Sequence, residues 1–238
     1  MSRSTTTIKK SLYNDSISVV IVSAGAGSRI RSNEPRSLIK IKNDTLINHQ
    51  IQAITDTFKT YEIIGVFGTQ IEKILKKVDN RIRVVENQLH NETNNSESMR
   101  LGLNNSLYDN VLFIHGDIYF KSSLLKSADY TKSFLVVDAN EDMSEKEVGL
   151  TASGNKVSIL SYGLEKKWCQ MCFLTGKELK ILKSIFLKFQ ESDKKMLSFE
   201  VINKIIENGG SFACHEKKGS HVVEIDCIKD INNENFNL

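Results

Sequence analysis

Hydrophobic and polar positions along this chain fall into blocks whose period changes, and the changes mark its elements. Residues 17–22 form a β-branched run between Asp15-Ser16 and a glycine-rich segment, the pattern of a central parallel strand covered on both faces. Leu46, Ile47, His49, Gln50, Ile51 and Ile54 recur at helical intervals and predict a helix over 46–58, with Asp44 or Thr45 as N-cap. A strand over 62–67, a helix over 70–78, a strand over 82–85, a helix over 96–107 and a buried strand over 111–115 follow. That alternation is the trace of βαβ units. Beyond Asp117 the blocks shorten to strands over 133–137, 148–152 and 157–160, joined by turns such as Ser153-Gly154-Asn155. A strand over 171–174, helices over 176–189 and 197–207, a stop at Gly209-Gly210, and strands around Phe212 and over 222–225 complete the pattern. The fold expected is α/β, a Rossmann-like, mostly parallel sheet with helices on both faces and a small antiparallel extension. One domain over 17–238 is expected behind a flexible lead-in over 1–16.

Composition narrows the function classes. At 238 residues, 40% hydrophobic and 26% charged, the chain is long enough and apolar enough to bury a sizeable core. No apolar run reaches membrane-spanning length, and the first sixteen residues lack the apolar stretch of a secretory signal. The net charge of +3 is small and the charges are mixed, which argues against a nucleic-acid groove and leaves room for a local phosphate pocket. Of Cys169, Cys172, Cys214 and Cys227, only the first two have metal-like spacing, and no second pair or histidine stands in register with them. They read as thiols, buried or otherwise, more readily than as a metal or redox pair, and reduced thiols fit a cytoplasmic protein. A homo-oligomer is compatible with the sequence.

The candidate chemistry begins at Ser23-Ala24-Gly25-Ala26-Gly27-Ser28-Arg29. Gly25 and Gly27 let backbone approach a ligand, while Ser28 and Arg29 add a hydroxyl and a fixed positive charge, a set suited to a polyphosphate. The segment is neither a Walker loop nor a dinucleotide fingerprint, and two glycines alone equally fit a tight turn. The single proline, Pro35, sits in the following loop, where it fixes a backbone angle without harming an element. The strand, this loop, Glu34-Pro35-Arg36-Ser37-Leu38 and Leu46-Ile47-Asn48-His49-Gln50 together resemble the start of the nucleotidyltransferase superfamily. That superfamily includes sugar-phosphate nucleotidyltransferases and phosphocholine-type cytidylyltransferases. Its pattern is A-A-G-x-G-S/T-R, then Pro-Lys-Pro/Ala-Leu, then P-L-I-x-x-Q. This chain departs from it at Arg36, where the family usually has lysine.

The resemblance implies a Mg²⁺-dependent transfer with release of pyrophosphate. Asp117, just past a buried strand where open parallel sheets place their ligand crevices, matches the family's strand-Gly-Asp element. Asp226 in Glu224-Ile225-Asp226 matches its C-terminal Glu-Ile-Asp, and the two carboxylates are implied as the Mg²⁺ ligands. Taken singly, an aspartate after a strand reads as a cap or turn residue. The resemblance assigns Ser23 through Arg29 to the triphosphate, and Arg29, Arg36, Asp117 and Asp226 to catalysis. Thr93, Asn94, Asn95 and Ser98 resemble the base-contacting stretch of the cytidylyltransferases, making CTP the preferred donor, although a helix N-cap accounts for the same residues. The expected partners are CTP and a small phosphate or phosphonate acceptor. Trp168, Tyr162, Tyr119 and Phe120 either wall a choline-like cation or belong to core and rim. Two alternatives stay open: transfer from another nucleoside triphosphate to a sugar 1-phosphate, and a nucleotide-binding module without turnover.

Overall fold

Each segment with a continuous apolar run became a strand crossing one large sheet, and each helical period became a helix packed on one of its faces. A computed structural model describes residues 16–25, 34–139, 144–217, 219 and 222–225. In chain order the first half comprises β1 (Ser16–Ser23), a short β2 (Lys40–Ile41) and β3 (Asp44–Thr45) hairpin, α1 (Leu46–Thr55), β4 (Thr60–Phe67), α2 (Ile71–Leu75), β5 (Ile82–Glu86), α3 (Asn95–Asn104), β6 (Asn110–His115), β7 (Ile118–Phe120) and α4 (Ser122–Lys126). The second half comprises β8 (Phe134–Asp138), β9 (Val148–Ser153), β10 (Lys156–Tyr162), β11 (Lys166–Thr175), α5 (Gly176–Leu187), α6 (Ser198–Glu207), β12 (Ala213–Glu216) and β13 (Val222–Glu224).

Nine strands form one sheet in the order β5-β4-β1-β6-β11-β8-β12-β10-β9. The first four are parallel, as the βαβ pattern predicts. β11 then enters antiparallel to β6, and β9, β10 and β11 continue in antiparallel pairings. The expected antiparallel extension is thus continuous with the parallel sheet. It also curls, because Lys166 and Lys167 of β11 pair with β9 at the far edge.

β1 shows why both faces are covered. Ile17, Val19 and Ile21 point into a core with Ile47, Ile51 and Ile54 of α1, while Val20 and Val22 point into a second core with Met99 and Leu103 of α3 and with residues of α5 and α6. Gly102 is where α3 comes closest to the sheet: a Cβ there would lie 2.2 Å from a methyl of Val20. Only hydrogen fits. α1 begins as expected at Thr45, whose hydroxyl accepts from the Asn48 amide.

Several elements differ from the sequence reading, among them the β2–β3 hairpin and β7, which it did not predict. The helix expected over 70–78 closes after Leu75, and its last turn continues only through the Lys77 and Val78 amides on the Ile74 carbonyl. β11 runs ten residues, not four, because a bulge between Trp168 and Cys172 breaks the alternation that marks a strand. α4 is too short to show a helical period. Among the described residues no helix is long and apolar enough to cross a membrane.

Candidate functional site

The site forms where β1 and β6 end side by side. The Gly116 amide donates to the Val22 carbonyl at 2.9 Å, extending the ladder past both strands. A Cβ on Gly116 would lie 2.3 Å from that of Ser23, so the two chains approach this closely only because Gly116 has none. On the other side of the loop, a Cβ on Gly68 would lie 2.7 Å from the Ala24 carbonyl, and the Thr69 amide donates to that carbonyl at 3.3 Å. The described start of the glycine loop is therefore held between the exits of β4 and β6. Ala26, Gly27, Ser28 and Arg29 lie outside the described residues.

Pro35 opens a 3-10 turn over Arg36–Leu38, closed by the Leu38 amide on the Pro35 carbonyl at 2.9 Å. The turn presents Arg36 to Asp117, with Nη1 2.9 Å from Oδ2 and both side chains 18% exposed. The other oxygen of Asp117, Oδ1, is buried and has no hydrogen-bond partner. A carboxylate oxygen shut away from water without a donor is costly, so this one calls for a cation or donor arriving from the cleft.

Two contacts fix the turn that carries Asp117. Gln50, fully buried on α1, donates from Nε2 to the carbonyls of His115 at 2.9 Å and Ile118 at 2.7 Å, one on each side of Gly116-Asp117. β13 pairs antiparallel with β7, and the Ile225 amide donates to the Asp117 carbonyl at 2.8 Å. Glu224 and Ile225 of the C-terminal Glu-Ile-Asp element are thereby brought to the Asp117 turn. Glu224 lines the cleft, and Asp226, the next residue after Ile225, lies outside the described residues.

The cleft has a volume of about 740 Å³. Of the residues singled out from sequence, Ser23, Ala24, Gly25, Arg36, Asn95 and Asp117 line it. Thr93, Asn94 and Ser98 are not in its wall. The Asn87 amide donates to the hydroxyls of Thr93 and Ser98, and the Asn94 side chain caps α3 by accepting from the Asn95 amide. Tyr162 and Trp168 line the cleft; Phe120 is buried in the core and Tyr119 packs edge-on to His49. Sequence reasoning quoted Gln50 in the helical motif without giving it a contact, and missed His115, Gln170, Lys146, Lys167 and Phe199. His115 Nε2 lies 2.9 Å from Ser198 Oγ, and desolvation lowers the pKa of its ring, a shift the neighbouring Asp117 carboxylate opposes. Lys167 pairs with Glu147 at 2.7 Å.

Metal-binding capacity rests on oxygen donors. Among the described residues no three or more His, Cys, Asp or Glu gather to hold a metal ion. Asp117 Oδ1 is the donor suited to a hard cation, and the pairing of β13 with β7 brings in the segment that leads to the second expected ligand. Cys169, Cys172 and Cys214 make no disulfide among the described residues, and burial pushes the Cys172 thiol well up. Cys227 lies outside the described residues.

The description "MobA-like NTP transferase domain" matches residues 19–137, half of the chain, from β1 through β8. The chain belongs to that family. A MobA-like NTP transferase domain places its glycine loop, Arg36 and Asp117 in the matched segment. The whole fold is similar to the inositol-1-phosphate CTP transferase from T. maritima, at a TM-score of 0.76 and 19% identity over 93% of each chain. It is similar to the CTP:phosphocholine cytidylyltransferase from Streptococcus pneumoniae, at 0.73 and 21% over 91% of this chain and 96% of that one. It is also similar to a nucleoside-diphosphate-sugar pyrophosphorylase from Vibrio cholerae RC9, at 0.68 and 12% over 92% and 100%. No curated protein matches the chain by sequence. The protein is a nucleotidyltransferase.

Proposed function

We propose that the protein transfers CMP from CTP to a small phosphate or phosphonate acceptor at the cleft between β1, β6 and β11. The observation that carries this reading is Asp117: a carboxylate at the end of β6, beside the glycine loop, with one oxygen on Arg36 and the other buried and unanswered. CTP is favoured because two structures similar to this chain over more than nine-tenths of its length act on CTP.

In the reaction an acceptor oxygen attacks the α-phosphorus of CTP in line, the α–β anhydride bond breaks, and pyrophosphate leaves with that bond's electron pair. The protein's task is positioning and charge neutralisation. Ser23, Ala24 and Gly25 begin a phosphate cradle that Ala26, Gly27, Ser28 and Arg29 complete, and Arg36 meets the triphosphate's charge from the 3-10 turn. Asp117 and Asp226 would hold Mg²⁺, which when bound draws negative charge from the phosphate oxygens. Gln50 keeps the Asp117 turn fixed while the ligand's charge enters. Asn95, which lines the cleft, is assigned to the base side, and Thr93, Asn94 and Ser98 brace the turn that presents it.

The test is pyrophosphate release with CTP, UTP, GTP, ATP and dTTP against a panel of phosphorylated acceptors. CTP should be preferred by at least about tenfold. Preference for UTP or dTTP with a sugar 1-phosphate would instead favour the second reading, which the likeness to the nucleoside-diphosphate-sugar pyrophosphorylase supports.

A further inference from the structure

β11 is interrupted where it borders the cleft. Its pairing with β8 shifts register between Trp168 and Cys172, and inside that bulge Gln170 adopts φ 55°. Glycine occupies this left-handed region freely, whereas a glutamine stays there only when its surroundings hold it. The bulge re-aims one side chain. Cys169 and Met171 are buried in the core, while Gln170 between them lines the cleft and hydrogen-bonds the His115 ring. His115 in turn meets Ser198 at the start of α6. Side chains from β11, β6 and α6 so make one polar wall, which begins two residues from Asp117.

The rest of that wall is short of open aromatic surface. Trp168 is 4% exposed, donates its indole N–H to the Met171 carbonyl, and meets the His115 ring edge-on at 5.6 Å. Among the described residues only Tyr162 and Phe199, themselves edge-to-face at 5.4 Å, offer ring surface to the cleft. A quaternary ammonium wants several ring faces around it, and it offers no partner to the hydrogen-bonding capacity that the Gln170 amide keeps toward the cleft. Hydroxyl groups would answer that capacity.

We infer that Gln170 reads the acceptor: its amide, aimed by the β11 bulge, hydrogen-bonds a hydroxyl of a polyol-type phosphomonoester. The inference rests on the nucleotidyl-transfer reading of the same cleft. Gln170 selects the acceptor and takes no part in the bond changes at phosphorus.

The test measures pyrophosphate release from CTP with inositol 1-phosphate, glycerol 3-phosphate or phosphocholine for the wild type, Gln170→Gly and Gln170→Asn, with a melting temperature for each. The wild type should favour a polyol phosphate over phosphocholine by about tenfold or more. Gln170→Gly should lose about tenfold or more in kcat/KM for that acceptor, mainly through the acceptor KM, because a hydrogen-bonding partner is removed. Its KM for CTP should be unchanged and its melting temperature equal to or above that of the wild type, since glycine relieves the backbone strain. Gln170→Asn, which tolerates left-handed backbone and keeps an amide, should fall between the two. Wild-type acceptor kinetics in Gln170→Gly would overturn the inference, as would a joint fall in melting temperature and CTP affinity, or a wild-type preference for phosphocholine. Absence of pyrophosphate release from the wild type with every acceptor would instead overturn the transfer reading itself, and the inference with it.

Discussion

Asp117 works through the unlike surroundings of its two oxygens. One is neutralised by Arg36, and the other is buried without a donor, a condition tolerated where a ligand completes the set. Asp117→Asn keeps the volume and removes the charge, so pyrophosphate release should drop by about 100-fold or more while the far-UV circular dichroism stays native. Gly116 is the second demand at this scale. Gly116→Ala puts a methyl 2.3 Å from the Cβ of Ser23, and should cost about 1–3 kcal/mol in urea unfolding by forcing β1 and β6 apart. Asp117, Arg36 and the glycines were legible in the sequence because each stands beside a strand end or a proline. Gln50 was legible as the last position of the helical motif, though not its contact with the Asp117 turn, and Gln170 was not. A glutamine inside a strand looks like a surface residue until a bulge turns it.

At the scale of elements, the cleft is kept in place by the helices packed around it. α1 reaches the Asp117 turn through Gln50, whose amide is the donor the sequence gives for two backbone carbonyls. Gln50→Leu fills the space but leaves those carbonyls without that donor, so it should destabilise by about 2 kcal/mol and lower kcat as the turn loosens. α3 is docked at its N-terminus on the 3-10 turn Glu191–Lys195: the Asn94 amide donates to the Lys194 carbonyl, and Ser96 Oγ to the Asp193 carbonyl. The Gln190 amide and then the Lys204 ammonium hold the Asp193 carboxyl below the usual carboxylate range. A carboxyl lowered on folding contributes stability above its unfolded value and loses it as pH falls through the folded one. Melting temperatures of the wild type and Asp193→Asn should therefore differ near neutral pH and converge as the pH falls below the usual carboxylate range. Strand and helix positions through β6 were readable from period, apart from the β2–β3 hairpin and the early close of α2. The contacts between the segment around Asp193 and α3 were not, because nothing in a linear pattern reports that residues about a hundred positions apart meet.

For the whole molecule, the arrangement follows from one sheet that is parallel up to β6 and mixed from β11 onward, where β8 and β12 run parallel among otherwise antiparallel pairings. The parallel half ends in the glycine loop and Asp117, and the curled half supplies Trp168, Gln170 and the lysines across the cleft. Sequence patterning predicted both halves but not their continuity, since β11 hides half its length behind the bulge. The same split divides the labour in our account: nucleotide on the parallel side, acceptor on the antiparallel side. A ligand that bridges them should stabilise the folded state, and CTP with Mg²⁺ at about 100 times its dissociation constant should add about 2.7 kcal/mol, seen as a rise in melting temperature. The most direct measurement is the phosphorus NMR spectrum of the wild-type protein incubated with CTP, Mg²⁺ and a polyol phosphate. The account predicts the loss of the triphosphate signals and the matched appearance of pyrophosphate and of a diphosphate diester joining CMP to the acceptor. Unchanged CTP, or CMP and pyrophosphate without the diester, would contradict it.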